Sequence, residues 1–80
     1  MKAKIHVTLK SGILDPQGKA IEHALDSLGF KHVANVRVGK YMELDLQEAD
    51  RAKAEVVVKS MCEKLLANTI IEDYQYELTA

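Results

Sequence analysis

Polar and apolar residues alternate near each end of the chain, and between those stretches two segments repeat at helical spacing. In Ala3 to Lys10, the apolar Ile5, Val7 and Leu9 alternate with Lys4, His6, Thr8 and Lys10, the period of a strand with one buried face. From Pro16 to Leu28, Ala20, Ile21, Ala24, Leu25 and Leu28 fall on one helical stripe, with Lys19, Glu22, His23 and Asp26 outside it. Gly29 is placed to end that helix in the left-handed conformation, with Phe30 folding back on the last turn. Period two returns between His32 and Gln47 in two sets, Ala34, Val36, Val38 and then Met42, Leu44, Leu46, which predicts a hairpin closed by Gly39-Lys40-Tyr41. Keeping both sets on one face puts Val38 opposite Met42 and Arg37 opposite Glu43, a cross-strand ion pair. A second helix is predicted from Asp50 to Ala67, burying Ala54, Val57, Val58, Met61 and Leu65, with Asn68 as its left-handed stop. A last strand, Ile70 to Leu78, turns Tyr74, Tyr76 and Leu78 to one face.

The order β-α-β-β-α-β predicts an α+β chain of the ferredoxin-like kind, a two-layer sandwich in which two helices cover one face of a four-stranded antiparallel sheet. Eighty residues make a single domain, 1–80. A chain that short buries only about 60% of the surface it exposes when unfolded, so it has little room for an enclosed active site, and self-association is expected. The uncovered face would carry Lys4, His6, Thr8, Asn35, Arg37, Glu43, Asp45, Asp73 and Gln75, mixed in sign and able to complement a copy of itself.

Charge changes the picture by exclusion. Eleven basic residues against twelve acidic ones leave a formal charge of −1, with no basic block to follow a phosphate backbone. Aromatic residues are limited to Phe30, Tyr41, Tyr74 and Tyr76, too few for a nucleic-acid stacking platform. No apolar run approaches the roughly 20 residues needed to cross a bilayer, and none at the start has the form of a signal peptide. A lone cysteine, Cys62, supports no disulfide framework and fits a reducing, cytoplasmic setting.

Candidate chemistry is sparse. His6, His23 and His32 share no metal-binding spacing, and Cys62 lies on the flank of a helical stripe near a C-terminus that disfavours a thiolate. The glycines form no phosphate-binding pattern, and the loop from Ser11 to Asp15 lacks the arginine that an acylphosphatase of this architecture would use to grip phosphate. The most specific local stretch is LDPQG, residues 14–18. Asp15 and Pro16 make a good helix start, whereas Gly18 in the first turn is costly unless some backbone must come close. Counting back along the helical stripe places Gln17 facing inward at the helix entrance. Gly18 would then admit either the chain's own loop or the backbone of another subunit.

Three stretches, VTLKSGILDPQGKAIEHAL, VRVGKYMELDL and MCEKLLANTIIEDYQYEL, together resemble the small PurS subunit family of phosphoribosylformylglycinamidine synthase, over nearly the whole chain. The resemblance implies a place in de novo purine biosynthesis, in the ATP- and glutamine-dependent conversion of formylglycinamide ribonucleotide (FGAR) to formylglycinamidine ribonucleotide (FGAM). In that family a PurQ-type glutaminase releases ammonia with a cysteine nucleophile, and a PurL-type synthetase activates the formyl amide oxygen with ATP and magnesium. The small subunit is implied to be non-catalytic, to hold no cofactor or metal, and to bridge the other two so that ammonia passes between them. Its implied state is a homodimer, with a dimer of dimers as a further arrangement. A connector works through turns and helix ends, which singles out Asp15, Pro16, Gln17, Gly18, Arg37, Gly39, Lys40 and Asn68 as interaction or structural-signature residues. The rival reading is a ferredoxin-like regulatory module of the ACT type, binding a small molecule at a dimer interface.

Overall fold

The computed structural model describes residues 1–80, arranged as β1 (Lys2–Leu9), α1 (Pro16–Ser27), β2 (Gly39–Asp45), α2 (Arg51–Met61) and β3 (Glu72–Thr79), with a π-helical turn over Cys62–Leu66 extending α2. The strands form one antiparallel sheet in the order β2-β1-β3. In the central strand Ala3, Ile5 and Val7 point to the inner layer and are essentially inaccessible, so its period-two pattern is realised directly. The register sets Ile5 between Met42 and Tyr76, and Ala3 between Leu44 and Leu78. Against this face α2 contributes Ala54, Val58 and Cys62, all fully buried. The opposite face exposes His6, Thr8, Glu43, Asp45, Asp73 and Gln75. There Lys2 pairs with Glu43 at 3.3 Å, and the His6 and Tyr41 rings meet at 4.6 Å.

The α+β class is as expected, but the sheet has three strands, and the hairpin over His32–Gln47 does not form. Residues 33–38 lie in no strand, and Gly39-Lys40-Tyr41 opens β2 against Thr8, Val7 and His6. Arg37 therefore sits off the sheet and makes no cross-strand pair with Glu43, which is taken by Lys2. The physical cause is local. The N–H of Val38 donates to a carboxylate oxygen of Asp15, so the segment is tied to the start of α1, and the Gly-Lys-Tyr sequence lacks the paired left-handed residues that close tight hairpins.

Both helices depart from the predicted burial. The stripe on α1 is left largely open: Ile21 is 43% and Leu28 73% exposed, Leu25 is half-buried, Gln17 faces solvent, and Gly18 is the helix's only buried residue. In the second helix the π-helical turn inserts an extra residue into the period, so Leu65 rotates out to 82% exposure while Cys62 and Leu66 turn inward. The helix ends differ likewise. After α1 the N–H of Phe30 donates to the Leu25 carbonyl and that of Gly29 to Asp26, with Gly29 at φ 100°, the predicted left-handed cap. Phe30 itself is 58% exposed. Asn68 is not left-handed; the one such non-glycine residue is Asn35, at φ 58°.

The shape is extended. Only ten of the eighty residues are buried, and the radius of gyration is 16.1 Å, where a compact chain of this length would have about 12 Å.

Candidate functional site: a polar junction at the root of α1

Asp15 holds together three segments that are distant in sequence. It is the N-cap of α1, extended at φ −117°, and Pro16 follows at the first helical position. One carboxylate oxygen accepts the N–H of Gly18 at 2.8 Å, and the other accepts that of Val38 at 2.8 Å. The Arg37 Nε lies 4.0 Å from the second oxygen. The Asp15 carboxylate is only 5% exposed, yet fully satisfied, and the bonds from Val38 and Gly18 hold its pKa below the usual carboxylate value. Arg37 also caps the end of β1, donating to the carbonyl of Lys10 at 3.1 Å.

Gly18 is where the segments touch. A Cβ there would overlap the carbonyl oxygen of Val36, so no larger residue fits without moving one of the backbones. The close approach is to the chain's own segment, which decides between the two readings of this glycine. Val36 is further steadied by a longer 3.5 Å contact from its N–H to Glu22.

A second cluster lies beside the first. Val7, Leu9, Asp15, Pro16, Gln17, Val38, Gly39, Lys40 and Glu72 line a groove of about 270 Å³ between the root of α1 and the sheet. Within it the carboxylate of Glu72 accepts the N–H of Asn68 at 2.7 Å and faces the Lys40 ammonium at 3.7 Å. Asn68 in turn accepts the N–H of Ile70 with its side chain and that of Glu72 with its carbonyl, forming the turn that starts β3. Asp15, Pro16, Gln17, Gly18, Arg37, Gly39 and Lys40 thus gather at one end of the molecule, and Asn68 joins them through Glu72. Glu72 is the residue the motif reading missed; it stands in the stretch IEDY, but nothing in sequence spacing links it to Lys40.

No group of three or more His, Cys, Asp or Glu residues is arranged to hold a metal ion. Cys62 is fully buried, and that burial, with Glu63 nearby, raises its pKa, which makes it a packing thiol. No helix is long and apolar enough to cross a membrane.

What the geometry defines is a small α+β chain whose clustered polar groups join its own backbone segments and whose first helix leaves its apolar stripe largely exposed. The family model for PurS, phosphoribosylformylglycinamidine (FGAM) synthase, matches residues 2–80. A PurS subunit from Bacillus subtilis is 57% identical over 77 residues, covering 96% of this chain and 90% of the relative. The crystal structure of B. subtilis PurS superposes with a TM-score of 0.89 at 56% identity, over 99% of this chain and 98% of that one. A chain in the structure of PurLQS from Thermotoga maritima superposes at 0.86 with 34% identity, over 95% and 93%. The chain belongs to the PurS family of FGAM synthase subunits.

Proposed function

We propose that this chain is the non-catalytic connector of FGAM synthase, bridging a PurL-type synthetase and a PurQ-type glutaminase so that ammonia released from glutamine reaches the FGAR-activating site. The carrying observation is the likeness to a chain in PurLQS, which extends over 95% of this chain. In this reading ATP, magnesium and glutamine are handled by the partner subunits, and the complex works in the cytoplasm. The junction supports it by giving the turn and helix-end residues one rigid location. Asp15, Pro16, Gln17, Gly18, Arg37, Gly39, Lys40 and Asn68 would fix the register of that end, with exposed Pro16, Gln17, Arg37, Gly39, Lys40 and Asn68 able to face a partner and buried Asp15 and Gly18 holding the shape beneath them.

The working unit in this reading is a homodimer. A three-stranded sheet covered by one helix is half of the two-helix layer expected of a ferredoxin-like sandwich, and a second copy would supply what is missing. The test is formation of FGAM by matched synthetase and glutaminase with and without the chain. Activity with glutamine should depend on the chain, while activity with free ammonium should largely persist. If both activities are indifferent to the chain, the connector reading is wrong.

A further inference from the structure

We infer that the outer edge of β3 is a docking edge for another chain of the complex, which adds to the sheet an extended segment whose apolar residues alternate with Lys or Arg. This rests on the connector reading and names an edge through which a partner is held. The backbone bonding of β3, the closed ends of its edge and its charge carry the inference.

Because β1 lies between the other two strands, β3 has one side paired and one side free. The pairing fixes which groups face outward. The N–H of Lys10 donates to the carbonyl of Ile71, and the register runs on through Thr8 with Asp73, His6 with Gln75 and Lys4 with Glu77. In an antiparallel ladder every second opposed pair exchanges both its hydrogen bonds, and the pairs between exchange none. Asp73, Gln75 and Glu77 therefore turn their N–H and C=O groups toward β1, whereas Tyr74, Tyr76 and Leu78 turn theirs away. The outward N–H groups of Tyr74, Tyr76 and Leu78 meet no acceptor in the chain.

The chain's own groups close this edge at both ends. At its start the outward N–H of Glu72 donates to the Asn68 carbonyl at 2.7 Å, and at its far end the outward carbonyl of Leu78 accepts from Arg51 at 3.3 Å. Between them the free backbone groups run for about 20 Å, the length of one short strand. A free edge is commonly blunted by a proline, a bulge or a lysine. β3 has no proline or lysine, and its register with β1 is unbroken.

Charge selects the occupant. β3 carries Glu72, Asp73 and Glu77 and no basic residue. On the outer face Asp73 and Glu77 are exposed on either side of Gln75, and on the inner face half-buried Tyr74 and Tyr76 pack against the core. An added strand satisfies both faces when it sets apolar side chains beside the tyrosines and cations beside the carboxylates. A second copy of β3 does the reverse. The two-fold pairing that sets Tyr74 against the partner's Tyr76 puts Asp73 directly opposite the partner's Glu77, and the symmetry repeats that clash.

The test is amide hydrogen exchange of the full chain, read residue by residue, alone and in complex with matched synthetase and glutaminase. In the free chain Asp73, Gln75 and Glu77 should be protected, and Tyr74, Tyr76 and Leu78 should exchange fast. In the complex the second set should slow by at least about 100-fold while the first changes little. D73K/E77K should raise the dissociation constant of the complex about tenfold. D45K, which reverses an exposed carboxylate on β2, should leave it unaltered, and circular dichroism should show the sheet retained in both variants. If the complex forms and the alternation persists within it, the edge is unused and the connector reading survives. Slow exchange at Tyr74 and Tyr76 in the chain alone means that the edge is already covered, by a second copy or by the chain itself, and overturns the docking edge as well. Equal weakening by D45K makes the attraction a property of the whole face and does the same. A chain that joins neither subunit removes the connector reading and the docking edge together.

Discussion

The sheet with α2 and the arm formed by α1 and residues 28–38 contain similar sequence patterns but solve different problems. In the body, the apolar periodicity of β1 and α2 becomes burial: Ala3, Ile5, Val7, Ala54, Val58 and Cys62 meet in one layer. In the arm, an equally regular stripe faces water, and the buried residues are Asp15 and Gly18 at its root. The body is held by apolar area, the arm by a carboxylate, two backbone N–H groups and the absence of one methyl group. A regular hydrophobic pattern therefore does not decide by itself whether the chain buries it.

The comparison can be broken most severely in the body. Ile5→Ala should cost about 2–5 kcal/mol in urea unfolding at fixed protomer concentration, and the loss should be global. Gly18→Ala should cost about 1–3 kcal/mol, because its Cβ meets a backbone carbonyl that cannot swing away. Hydrogen exchange separates the two: amides of α1 and residues 33–38 should lose protection in Gly18→Ala while β1 and β3 keep theirs. Equal loss everywhere would show that arm and body form one cooperative unit.

Acid should act on the arm before the body. The Asp15 pKa is lowered in the folded chain, so the stability it contributes is fully present above the unfolded carboxylate value of about 4, and is lost as pH falls through the lower folded value. Asp15→Asn, which keeps one acceptor of two, should lower Tm by several degrees at pH 7, and the gap from wild type should close below about pH 4. A gap independent of pH would mean that shape, not charge, holds the junction. The smallest effect is expected at Leu65→Ala, under about 0.5 kcal/mol, since the π-helical turn has moved this side chain into solvent. A cost typical of a core leucine would restore the uninterrupted α-helical register.

Most of the regular elements were legible in the sequence. β1, both helices, the Asp15 cap, the Gly29 stop and the inward set Tyr74, Tyr76 and Leu78 follow from period and cap chemistry, which are local. The rest depended on distant partners. Residues 33–38 alternate like a strand, yet Asp15 takes a backbone donor from them, and that contact spans 23 positions. The π-helical turn leaves no mark in the apolar pattern, because Met61, Cys62, Leu65 and Leu66 satisfy either register. Of the candidate site, the residue types were readable from turns and helix ends, but their gathering at one end of the molecule was not. Glu72 connects Lys40 to Asn68 only once β1 lies between β2 and β3.

The buried thiol has a practical consequence. Cys62 is the only cysteine, is wholly enclosed and titrates above its ordinary range, so alkylating reagents should find it silent in the folded chain. A fluorophore or spin label attached through a cysteine introduced on α1 would report from one place without removal of the native residue. The slow modification of Cys62 itself would serve as a clock for opening of the body, read in the same tube as the label on α1.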